Sequence, residues 1–175
     1  GFSFNMSVGY DLAGIQTPKM NAFIDGMMDA EHLPAFTRAI EEAQAILPDM
    51  AEYIRAIDPH ICRSVTISTL HGCPPQEIER IASYLLKEKH LHTFVKCNPT
   101  LLGYETARSI LDEMGYDYIA FDDHHFKEDL QYKDAVPMFH RLEKRATDRG
   151  LEFGLKLSNT FPVDVKAGEL PSGEM

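Results

Sequence analysis

What this sequence lacks narrows its chemistry before any motif is considered. Cysteine is scarce: Cys62, Cys73 and Cys97 are the three in 175 residues, an odd number without CxxC spacing. That argues against a disulfide framework and for a reducing, cytoplasmic compartment. It also leaves no iron–sulfur motif within these residues, because such clusters take several suitably spaced thiolates. Positive charge is short as well: 17 Lys and Arg face 27 Asp and Glu, a formal charge of −10. An acidic chain argues against non-specific binding to nucleic acid or to anionic membranes. The apolar runs fall far short of the ~20 residues that a membrane span needs, and no signal-peptide pattern opens the chain. No GxGxxG follows an expected strand and no Walker A sequence occurs, so neither phosphate-binding fingerprint is present.

What is there looks globular. Hydrophobic residues make up 44% and charged residues 25%, ordinary for a folded domain, and the length suits one domain with a sizeable core. The chain opens Gly1-Phe2-Ser3-Phe4 and closes on "KAGELPSGEM". These ends read as cuts, so residues 1–175 are expected to be one domain taken from inside a longer polypeptide.

The first third reads as a short strand, "FSFNMSVGYD", followed by helices. Thr17 and Pro18 suit the start of one, and Pro34 and Pro48 should divide the region through Ile57 into two or three helices. Then strands and helices alternate. "SVTISTL", "HTFVKCN", "YDYIAFDD" and "LEFGLKLSN" read as strands, separated by the helices "PQEIERIASYLLKEK", "GYETARSILDEMG" and "KDAVPMFHRLEKRATDRG". Such alternation predicts βα units and a parallel sheet. The run Tyr118-Ile119-Ala120-Phe121 fits a strand covered on both faces, and Gly115 and Gly150 stand where helix C-caps belong. The fold class expected is α/β, with five or so of the eight units of a TIM (β/α)8 barrel; a whole barrel takes ~250 residues.

In such folds ligands bind at the carboxyl ends of the strands. Those ends gather Asn5, Ser7 and Tyr10; Ser68, Thr69, His71 and Cys73; Lys96, Cys97, Asn98 and Thr100; Asp122 to His125; and Lys156, Ser158, Asn159 and Thr160. "FVKCNPT" and "GLKLSNT" share apolar–Lys–x–x–Asn. A lysine within a buried strand needs a partner, so Lys96 and Lys156 could face an anion or the electron-rich edge of a planar cofactor, or else point outward to helix carboxylates. Cys73, beside a helix start, is either a thiol of lowered pKa acting as base or nucleophile or a small apolar filler. Cys62 and Cys97 read as structural. "DDHH" invites a metal, yet in an extended chain only Asp122 with His124, or Asp123 with His125, share a face. The run "HRLEKRATDRG" reads as a solvated helix face.

The stretches "NMSVGYD", "TLHGCPPQEIERIASYLL", "VKCNPTLLGYE", "YDYIAFDDHHFKEDLQ", "LKLSNTFPV" and "AGELP" closely resemble the family named "putative selenate reductase, iron–sulfur subunit". The front portion of its members is similar to the flavin barrel of dihydroorotate and dihydropyrimidine dehydrogenases, with a pyridine-nucleotide/FAD module and iron–sulfur motifs behind it. The resemblance implies an iron–sulfur flavoprotein oxidoreductase that carries electrons between NAD(P)H, flavin and Fe–S centres. FMN would belong to the complete barrel, and FAD and 4Fe-4S to the rest of the polypeptide. Its partners would be those other modules and a molybdenum-enzyme or other redox subunit. It gives "TISTLHGCPP" an active-site-loop role, with His71 and Cys73 as proton-moving residues. It gives a flavin lysine at Lys96, or at Lys156 in a rival register, with Asn98 and Asn159 beside them. The alternative is a barrel that has lost its chemistry and serves as a scaffold or docking module.

Overall fold

A computed structural model describes residues 4–68 and 72–164. Strand β1 (Phe4–Val8) leads into helices α1 (Leu12–Ile15), α2 (Pro18–Met28), α3 (Pro34–Ile46) and α4 (Ala51–Arg55). Then come β2 (Cys62–Ile67), α5 (Pro75–Lys87), β3 (His92–Cys97), α6 (Tyr104–Glu113), α7 (His124–Glu128), α8 (Tyr132–Thr147) and β4 (Phe153–Leu157). The four strands form one parallel sheet in the order β1-β2-β3-β4. Pro18 and Pro34 open helices, Pro48 opens a short 3-10 turn, and Gly115 and Gly150 follow α6 and α8 with φ of +83° and +68°, as a helix C-cap requires.

One face of the sheet is dry. Met6, Val8, Val65, Ile67 and Val95 are buried against Ile78, Ile81, Leu85 and Leu86 of α5 and Met138 and Leu142 of α8. The apolar positions of α5 recur at helical spacing, so its stripe faces the sheet. Each large side chain buried this way stabilises the fold by about 1.5–3 kcal/mol. Outside this layer, Arg141 and Arg145 of α8 reach across to Glu79 of α5 at 2.6 and 2.7 Å. The basic run of α8 is therefore a clasp between two helices on one side and solvated on the other.

The opposite face is polar. Asn5, Ser7, Thr66, Phe94, Lys96, Gly154 and Lys156 alternate with the core residues along the strands. Asn5 Nδ2 donates to Thr66 Oγ1 at 2.7 Å, and the Phe94 ring lies over Gly154, where a Cβ would stand 2.7 Å from it.

The expected strand at "YDYIAFDD" does not form; β3 pairs directly with β4. The carbonyls in that segment are taken by other partners. Arg108 of α6 donates to Ile119 O at 2.7 Å and Tyr116 O at 2.9 Å, and Asp164 N donates to Ala120 O at 2.8 Å. Exposure falls along the run, from Tyr118 at 73% to Phe121 at 8%, so the run is not covered on both faces. Phe121 instead joins Ala107, Phe126, Tyr104 and Phe161 in a second small core at the carboxyl end of the sheet.

Candidate functional site

A polar network ties the carboxyl ends of β2, β3 and β4 together. Its centre is Asp129, which follows α7 and is 5% exposed. Its carboxylate accepts from Gly72 N at 2.9 Å, from Asn98 Nδ2 at 3.1 Å and from Thr100 Oγ1 at 2.6 Å. Asn98 Oδ1 accepts from Asn159 Nδ2 at 2.8 Å, and Asn159 Oδ1 accepts from Thr160 N at 2.8 Å. A buried carboxylate is tolerated only when donors converge on it. Gly72 can aim its N–H there because it sits at φ +75°, a conformation that side-chain-bearing residues seldom adopt. Asp129 was not among the sequence candidates: one acid among 27 carries no local sign of burial beyond its apolar neighbours Phe126 and Leu130.

Asn98 and Asn159 are thus brought together, but their amides are engaged with each other and with Asp129. Their first role is to hold the strand ends. His71 and Thr69 lie outside the described residues. Gly72 is held by Asp129, and Cys73 lies beside Lys96, Cys97 and Asn98 at the end of β3.

Lys96 and Lys156 stand side by side. They are register partners on β3 and β4, two residues beyond the paired Phe94 and Gly154, and so share the polar face. Among the described residues neither has a hydrogen-bond or ion-pair partner. Other described cations, such as Lys19, Arg38 and Lys133, also lack a carboxylate, so what sets this pair apart is its place, side by side at the strand ends. Like charges in register are destabilising, and nothing described on this face offsets them. Lys96 is half-buried and Lys156 exposed.

The thiols are not activated. Burial, then the carboxylates of Glu77 and Asp11, push the Cys73 thiol up rather than down. The lowered pKa expected of a cysteine at a helix start is not what these surroundings give. Cys73 precedes the cap residue Pro74, and the nearby negative charge outweighs the helix end. A protonated Cys73 can donate a proton but is a poor nucleophile. Burial pushes Cys97 up to about 11, and Cys62 is buried with its Sγ 3.0 Å from Phe4 O, so both are structural. Cys73, Cys97, Asn98, Thr100 and Asp129 surround a cavity of about 20 Å³, room for one water.

Asp122 to His125 do not build a metal site. Asp122 accepts from His124 N at 2.9 Å at the start of α7, Asp123 pairs with Lys127 and His124 with Glu128. Among the described residues no group of three or more metal-capable side chains converges. A groove of about 820 Å³ on the outer helical layer is lined by Glu79, Arg80, Lys89 and Arg145. It lies away from the strand ends, and these three cations are already ion-paired. No described helix is long and apolar enough to cross a membrane.

Comparison with known proteins agrees with this architecture. The chain is 45% identical over 189 aligned positions to "putative oxidoreductase YgfK" of Escherichia coli strain K12, and equally to that of Escherichia coli O157:H7. The alignments cover 99% of this chain and 18% of each relative's length. No solved structure matches significantly. Residues 1–175 match the family described as "Oxidoreductase YgfK, N-terminal TIM-barrel domain". The parallel sheet with alternating helices is part of that α/β barrel, and the chain belongs to the YgfK N-terminal TIM-barrel domain family.

Proposed function

We propose that this domain is the flavin-facing barrel portion of an oxidoreductase, within a longer polypeptide of the selenate-reductase-like iron–sulfur flavoprotein type. The observation that carries this reading is the pair Lys96 and Lys156. Two cations without a described partner stand in register at the carboxyl ends of parallel strands, where this fold class binds ligands. The surroundings fit a flavin: cationic charge for the electron-rich edge of the ring, and a polar strand face beside it. A bound FMN supplies electron and hydride transfer. The chain's own residues hold and orient. Lys96 stabilises negative charge at the ring edge. Asp129, through Asn98 and Asn159, fixes the strand ends. Cys73, kept protonated by its surroundings, and His71 move a proton on the substrate side. FAD and Fe–S centres in other modules, with NAD(P)H as electron donor or acceptor, complete the path. Replacing Lys96 with Ala in the full-length protein is expected to lower flavin content; unchanged content removes Lys96 from the site.

A second reading rests on a different observation. Helix α3 buries no residue, and Ile46, Leu47, Met50 and Tyr53, from the end of α3 into α4, are all exposed. Apolar exposure of this kind suits docking. On this reading the barrel is a scaffold for the other modules or for a redox subunit, such as a molybdenum enzyme, and the chemistry lies elsewhere.

A further inference from the structure

A barrel interior is filled by layers of side chains rather than left as a pore. On the polar face of this sheet Asn5, Ser7, Thr66 and Gly154 bring little bulk, and Phe94 brings a ring. Its register partners are Thr66 on β2 and Gly154 on β4. The ring leans to one side, over Gly154, where a Cβ would stand 2.7 Å from both Cδ1 and Cε1, closer than side chains pack. Gly154 is not among the glycines of positive φ, so what it supplies is room for the ring rather than backbone freedom. Lys96 and Lys156 stand two residues further along the same two strands. The ring is therefore the layer next below the lysine pair. It also lines a groove of about 460 Å³ at the amino ends of the strands, with His60, Arg63, Ser64 and His92, and neither lysine lines that groove.

We propose that Phe94 is the floor of the cofactor site, and that position 154 is glycine so that the ring can lie across β4 beneath Lys96 and Lys156. So placed, the ring divides the strand-end site from the amino-end groove and keeps water from entering from below. The charge of Lys96 acts more strongly on a ligand in a site closed to water. This inference rests on the flavin reading of the same face and adds what limits the depth of the site. A methyl group at position 154 would push the ring off β4, either up among the lysines or down toward the groove. The first fills the site and the second opens its floor, so both weaken a bound cofactor.

The test is the apparent FMN dissociation constant of the full-length protein, read from FMN retained over a dilution series and separated from FAD. Gly154→Ala should weaken FMN at least about tenfold. Phe94→Leu added to Gly154→Ala should return it to within about threefold of wild type, because leucine and the new methyl together fill the volume of the ring. Phe94→Ala removes the floor without a clash and should weaken FMN at least about fivefold, which keeps the test decisive if Gly154→Ala does not fold. Val95→Ala is the control for stability alone. Val95 lies on the same strand, buried on the opposite face, so its loss should lower the melting temperature yet leave FMN within about threefold of wild type. Unchanged FMN affinity in Phe94→Ala and Gly154→Ala, no recovery in the double variant, or an equal loss in Val95→Ala would each overturn the proposal. FMN held by wild type and by both single variants alike would refute the floor and leave the flavin reading standing. A wild type that holds no FMN would refute the flavin reading itself, and the floor with it.

Discussion

Replacing Asp129 with Asn tests whether the network at the strand ends is built on a buried carboxylate. The change is nearly isosteric, so packing is preserved and hydrogen bonding alone is altered. Among the described residues three donors meet the carboxylate: Gly72 N, Asn98 Nδ2 and Thr100 Oγ1. The new amide keeps one oxygen, which can serve Gly72, and the Thr100 hydroxyl can turn to accept from the new NH₂. Asn98 Nδ2 then faces another donor. Flipping Asn98 moves the conflict to Asn159, whose Nδ2 donates to Asn98 Oδ1. One donor in a buried cluster is left without an acceptor, costing about 1–3 kcal/mol. The surviving bonds fall from charge-assisted to neutral strength, which costs roughly another 1 kcal/mol. Relief from burying a charge offsets part of this. A net loss of about 2–3 kcal/mol should lower the melting temperature of a chain this size by about 4–12 °C. Thr100→Val removes a single charge-assisted bond and should cost about 1–2 kcal/mol, leaving a visible gap between the two variants. The assay is thermal unfolding followed by circular dichroism. An Asp129→Asn variant melting at or above wild type, or one less damaged than Thr100→Val, would refute the reasoning.

Thiol reactivity should divide by burial: in the native protein Cys73 alone reacts, slowly, with an aromatic disulfide reagent, and all three thiols react once the chain is unfolded. Because Cys97 stays protonated to about 11 when folded, while an exposed thiol ionises near 8.5, its contribution to stability is lost as pH rises through that window. A Cys97→Ser variant should show a shallower alkaline decline in denaturant midpoint. Hydrogen bonding to Arg141, and then to Arg145, holds Glu79 below the usual carboxylate range. Its contribution is present above the ordinary value near 4.3 and is lost as pH falls through the lower folded value. Glu79→Gln should therefore melt below wild type at pH 7, with the gap closing under acid. Arg108 caps two carbonyls and stands 4.7 Å from the Phe121 ring centroid. Arg108→Ala should cost about 2–3 kcal/mol and raise amide exchange in residues 116–121, while exchange in β2 and β3 stays at the wild-type rate.

Periodicity made most of this fold legible. Ile78, Ile81, Ala82, Leu85 and Leu86 mark the buried stripe of α5, and the β-branched run of β2 marks a strand. Tyr118 to Phe121 misled because a short apolar run has the same look in a strand and in a loop that feeds a core. What decides it is Arg108, whose guanidinium reaches carbonyls 8 and 11 residues away, and no local pattern reports that reach. The shared Lys–x–x–Asn of two strands did flag Lys96 and Lys156. Their adjacency could not be read, because the sequence placed another strand between them. Asn98 and Asn159 were found for their polarity at strand ends, and their mutual bond appears only with the register. Asp129 is invisible in the sequence because its burial depends on donors from two distant segments, Gly72 and the Asn98–Thr100 turn.

The most direct test of the flavin reading is to denature the full-length protein and quantify released FMN separately from FAD. The account predicts FMN near one per chain, in addition to FAD from the other modules, with the FMN reduced in a Lys96→Ala variant. FAD without FMN would contradict it, leaving this barrel as a scaffold.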